Sequence, residues 1–111
     1  MQITRQGQFY RISHISGPQH NALLICFLET DDVEVMLPSI EALQPISDHK
    51  HDPLDPEAIR REALEGVSEA NEQFGTEYRI KQLKYIENDT PRESIYRYLA
   101  FKLVEHLAQP S

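Results

Sequence analysis

The segment FYRISHISGPQHNALLICFLE, residues 9–29, sets two strand-forming runs on either side of Ser16-Gly17-Pro18-Gln19-His20-Asn21. Six turn-forming residues around a Gly-Pro pair interrupt any regular element, and β-branched and aromatic residues dominate both flanks. The pattern predicts an antiparallel hairpin with strands at Phe9–Ile15 and Ala22–Glu29. In the second run Leu24, Cys26 and Leu28 point one way and Leu23, Ile25 and Phe27 the other. A strand apolar on both faces belongs in the middle of a sheet, with cover on each side.

Downstream of the hairpin, Thr30-Asp31-Asp32 marks a turn. Val33, Val35 and Leu37 then alternate with Glu34 and Met36 as a third strand, which Pro38 ends. Residues 38–54 hold three prolines and four charged side chains and read as an irregular loop. Ile40, Leu43 and Ile46 recur every three residues there, a spacing that suits a short helical turn over the core.

The next segment carries full helix punctuation. Asp55 fits the N-cap, Pro56 the first helical position, Leu54 and Ile59 the hydrophobic staple, and Gly75 the left-handed C-terminal residue. Ile59, Ala63, Gly66, Val67, Ala70 and Phe74 share one side, with Arg61, Glu62, Glu65, Glu69 and Glu72 opposite. The small residues Ala63, Gly66 and Ala70 are expected to let this helix approach the sheet closely.

Glu77–Glu87 reads as a fourth strand whose apolar phase changes between Ile80 and Leu83, which predicts a bulge near Lys81-Gln82. Thr90-Pro91-Arg92-Glu93 has the form of a capping box, opening a last helix that runs to about Ala108. The fold class expected is α+β: a single two-layer domain over residues 1–111. It has one mixed four-stranded sheet in the order β-β-β-α-β-α, with two helices packed mainly on one face. A right-handed crossover through the first helix would bring the fourth strand in parallel to a neighbour.

Composition agrees with a chain that buries its own core. Of 111 residues, 40% are apolar and 26% charged, a balance that excludes disorder. The longest apolar run, Ala22–Leu28, has seven residues, against about twenty for a membrane-spanning helix. The first ten residues lack the pattern of a secretory signal, so a cytoplasmic location without membrane contact is expected. Cys26 lies inside the apolar run and reads as a small buried hydrophobe. The net charge of -7 is uneven, since thirteen of eighteen carboxylates precede Gly75 while six of eleven cations follow it. Such a chain attracts basic partners and repels phosphate backbones. Tyr78, Arg79, Lys81, Lys84 and Tyr85 interleave aromatics with cations as an RNA-stacking strand does, yet the overall charge opposes that use.

Chemistry-bearing residues are few. His14, in phase with Tyr10 on the first strand, has the residue type of a general base. His49, His51 and Asp52 form the one segment with metal-ligand types, two histidines at i and i+2 on extended chain. His20 lies in the hairpin turn, and Asn88-Asp89-Thr90 reads as a turn and helix cap. Nucleophile elbow, P-loop, dinucleotide fingerprint and C-x-x-C pair are all missing from the sequence, so no cofactor is expected.

The last helix departs from the ordinary surface pattern. With Ile95, Leu99, Leu103 and Val104 on its core side, Tyr98 and Phe101 fall on the side that also holds Arg97, Lys102 and Glu105. Aromatic and arginine side chains are the types that concentrate at protein interfaces. Tyr98, Phe101, Arg97 and Glu105 are therefore the expected contact residues. The function expected is a non-catalytic, self-associating, acidic protein-binding domain, a homodimer of the inhibitor or immunity type that masks a basic partner. The alternative is a small enzyme or ligand-binding domain using His14 and Tyr10 or a His49/His51 metal site.

Overall fold

The chain, seen in a computed structural model, is described over residues 1–29, 37–45 and 51–109. These residues form strands β1 (Gln2–Gln6), β2 (Phe9–Ser16), β3 (Gln19–Phe27), β4 (Ser39–Leu43) and β5 (Ile80–Ile86), and helices α1 (Pro56–Phe74) and α2 (Ile95–Ala108). The strands make one sheet in the order β1-β2-β3-β5-β4. Neighbouring strands are antiparallel except β4 and β5, which run parallel across a connection that contains α1. The α+β class with one mixed sheet and two helices is as expected, but the sheet has five strands rather than four.

The hairpin follows from its turn. Ser16 pairs with Gln19, which leaves Gly17-Pro18 as a two-residue loop, and Gly17 has φ 58°. Proline holds φ near -65°, so the positive angle that such a loop needs falls on the glycine. His20 and Asn21 consequently belong to β3 rather than to the turn.

β3 lies between β2 and β5, in the interior position its two apolar faces demand. Ile12, Leu23, Ile25, Leu83 and Tyr85 form a core with Ile59, Val67, Leu99 and Leu103 of the two helices. Leu24 and Cys26, on the opposite face, are only 7% and 5% exposed within one chain.

Two strands lie where the sequence reading had none. β1 has one apolar residue in phase, Ile3, because an edge strand exposes most of its side chains. β4 occupies Ser39–Leu43, inside the segment 38–54 expected to be an irregular loop. Its Ile40 packs on the core opposite Leu83. The spacing of Ile40 and Leu43 therefore marks a short strand, at the edge of the sheet among the described residues, and not a helical turn. The strand expected at Val33–Leu37 lies, apart from Leu37, outside the described residues.

β5 carries the expected bulge. Cys26 pairs with Gln82 but Phe27 with Ile80, so Lys81 is the extra residue. α1 also starts and stops as its sequence signals require, with the Asp55 side chain accepting from Glu57 N at 3.0 Å and Gly75 at φ 68°.

α2 does not begin with a capping box. Its N-cap is Ser94, which makes no side-chain cap bond, and Ile95, Tyr96 and Arg97 donate to carbonyls three residues back. Thr90 and Glu93 are engaged elsewhere, with Glu93 Oε2 accepting from Asp55 N at 3.3 Å. Among the described residues no helix is long and apolar enough to cross a membrane.

The small residues of α1 serve a different neighbour from the one expected. A Cβ on Gly66 would stand 2.2 Å from Arg97 O and 3.1 Å from Ala100 Cβ, so the close approach is to α2 rather than to the sheet. Backbone cannot move aside as a flexible side chain can. Gly66→Ala should therefore lower stability by about 3 kcal/mol, the upper part of the range for overpacking. Urea unfolding should show it as a lower midpoint with an unchanged slope.

Candidate functional site

The outer side of α2 collects the expected contact residues. Tyr98 is 45% exposed, Lys102 Nζ stands 5.8 Å from its ring centre, and Lys102 donates to Glu105 Oε1 at 2.9 Å. That bond and the charge of Glu105 hold the Lys102 ammonium above its usual pKa. Arg97 reaches across to α1, pairing with Glu69 and lying 3.5 Å from Glu65. These pairs are half exposed, so each contributes little to stability, about 0–1 kcal/mol. Their effect is to fix the direction of Arg97.

Phe101 is half-buried, its ring centre 5.6 Å from that of Phe74 at the end of α1. Glu69, Gln73, Ser94, Arg97, Tyr98 and Phe101 thus line one groove between the helices. The structure brings Arg97, Tyr98 and Phe101 together there. Glu105 lies on the other side of Tyr98, in a second depression with Met1 and Ile3.

A buried polar cluster joins the start of β3 to the loop between β5 and α2. Asp89 is fully buried, its Oδ2 accepting from Ala22 N and its Oδ1 from His20 Nδ1, both at 2.8 Å. A carboxylate only accepts, so Nδ1 carries the hydrogen. Thr90 Oγ1 accepts from His20 N at 3.0 Å, and Thr90 N donates to His20 O at 3.1 Å. Asn21 Nδ2 donates to Thr90 O at 2.7 Å and to the Tyr96 hydroxyl at 3.3 Å. Burial pushes the Tyr96 phenol well above its ordinary pKa of 10.0, the Asn21 hydrogen bond opposing and the Asp89 charge adding to the shift.

An oriented His-Asp pair resembles half of an acid-base device. Its partners, however, include backbone groups of His20, Ala22 and Thr90, which is the arrangement of a clamp. Sequence reasoning placed these residues in a turn and a cap. No local pattern announces a contact between positions 69 apart, as His20 and Asp89 are.

The catalytic candidates are not brought together. Tyr10 pairs with Ile25 and His14 with Asn21, four strand positions apart, or about 13 Å at the usual rise. The Tyr10 hydroxyl accepts from Arg5 at 2.7 Å, and its ring packs on Phe27. His51 and Asp52 lie exposed ahead of α1, while His49 falls outside the described residues. Among the described residues no three metal-ligating side chains cluster. The stacking strand does not form either, because Tyr85 is buried in the core and Tyr78 packs on Phe27.

No protein-family model matches this chain, and comparison with curated proteins and with solved structures gives no significant match.

Two outcomes test the clamp. Asp89→Ala should cost about 3 kcal/mol in urea unfolding, because it strands the buried Ala22 amide and the His20 ring. Tyr96→Phe should cost only about 1 kcal/mol at neutral pH. Above pH 10 the unfolded chain releases the Tyr96 proton that the folded chain keeps, so stability falls as pH rises. That alkaline loss should be shallower in Tyr96→Phe than in the wild type when unfolding midpoints are followed from pH 8 to 11.

Proposed function

We propose that this chain is a non-catalytic protein-binding domain that holds its partner in the groove between α1 and α2. One observation supports the reading most directly: Tyr98 stands 45% exposed in one groove with Phe101, whose ring rests on Phe74, and Arg97 is fixed at the rim. An exposed aromatic next to an arginine in a concave apolar setting is the composition of a binding hot spot.

The kind of partner follows from charge. Glu62, Glu65, Glu69 and Glu72 line the outer side of α1, and Glu69 also belongs to the groove. A basic protein that seats one apolar side chain beside Tyr98 would meet these carboxylates with its cations. Masking such a partner, as an inhibitor or immunity-type protein does, is the role that suits this surface, together with association of the chain with itself. The reading includes a cytoplasmic location, where a lone thiol such as Cys26 stays reduced.

Affinity capture with the wild-type chain from native extract should recover a basic protein that a Tyr98→Glu chain does not retain. With the purified pair, Tyr98→Glu should weaken binding at least tenfold, about 1.4 kcal/mol. Equal retention by the two chains would overturn the assignment of the groove. Turnover of a small molecule that survives Tyr98→Glu would overturn the reading as a whole.

A further inference from the structure

We infer that the occupant of the groove is an amphipathic helix with cations along one flank, which packs as a third helix against α1 and α2. The inference rests on the partner-binding reading above and names the form its partner takes.

The first ground is the main chain of the walls. Both walls are helices, and a helix interior spends its amides and carbonyls within itself. At the start of α2 the amides of Ile95, Tyr96 and Arg97 are also met, by carbonyls three residues back. The groove therefore offers a partner side chains, with Gln73, Ser94 and the Tyr98 hydroxyl as its uncharged hydrogen-bonding groups. An extended segment brings one donor and one acceptor per residue and needs a strand edge to receive them. A helix arrives with its main chain already paired and seats only side chains.

The second ground is size. The groove offers about 490 Å³, and an apolar cavity of about 150 Å³ accommodates one benzene ring. Room for roughly three ring-sized groups matches the anchors that a docked helix presents at i, i+4 and i+7. Tyr98, 45% exposed, and Phe101, which rests on Phe74, give those anchors apolar surface to cover.

Charge places the cations of the helix on one flank. Along α1, Glu62, Glu65, Glu69 and Glu72 stand against Arg61 and against Arg97, which reaches over from α2. On the α2 side Lys102 and Glu105 pair with each other. One wall is thus acidic and the other balanced, so the partner's cations belong on the flank that lies along α1. Neither described helix of a second copy suits the groove, since α1 carries the same carboxylates and α2 turns its apolar side to its own core. Two chains of net charge -7 also repel each other.

Two synthetic peptides of about 14 residues, roughly 21 Å long as helices, test the inference. They share one leucine and lysine composition, the first with leucine at helical spacing and the second with leucine and lysine alternating. Fluorescence anisotropy at physiological salt should show the wild-type chain binding the first about tenfold more tightly than the second. Tyr98→Glu should weaken that binding about tenfold, although its added negative charge would strengthen a mere attraction of cations. Glu72→Lys should weaken it about fivefold, whereas Asp52→Lys, the same change of charge at an exposed position ahead of α1, should alter it by less than about twofold. Equal binding of the two peptides overturns the proposal, as does Tyr98→Glu binding that is unchanged or tighter, or an equal loss in Glu72→Lys and Asp52→Lys. A wild-type chain that sediments near twice 12.9 kDa, and near one chain on Tyr98→Glu, assigns the groove to a second copy and overturns it too. Loss of the captured native partner on Tyr98→Glu, with no preference between the peptides, would leave the binding reading standing without the helix.

Discussion

The helix layer depends on the contact between Gly66 of α1 and the backbone of Arg97 in α2. A hydrogen at that position lets a carbonyl oxygen sit where any side chain would put a carbon at 2.2 Å. With the backbones this close, α2 has little freedom to roll, and Tyr96, Leu99, Ala100, Leu103 and Val104 are held toward the core. The same rotation sends Arg97 toward Glu65 and Glu69 and leaves Tyr98 in solvent. The groove assigned to partner binding is thus a geometric consequence of one missing methyl group.

A second constraint sits in the loop just before α2, and it explains why the apparent capping box does not cap. A helix-terminal amide that faces water finds a solvent partner, and a side-chain cap there contributes about 1 kcal/mol. The amide of Ala22 is buried, and leaving it unsatisfied costs about 1–3 kcal/mol. Asp89 and Thr90 go where the penalty is larger, Asp89 to Ala22 and His20 and Thr90 to His20, while Glu93 accepts from the exposed amide of Asp55. α2 then starts without a side-chain cap at Ser94.

Legibility in the sequence followed burial. β2 and β3, α1 with both its caps, and the bulge at Lys81 could be read because apolar phase and turn chemistry mark them directly. The edge strands could not, since a strand with one core-facing residue in five has no visible period, although Gly7-Gln8 between Gln6 and Phe9 was a usable hairpin signal. The aromatics of α2 were legible as a departure from the amphipathic pattern. That Phe101 rests on Phe74 was not, because only the crossing of the two helices at Gly66 brings those residues together. The clamp was least legible, being composed of residues that local rules assign to turns.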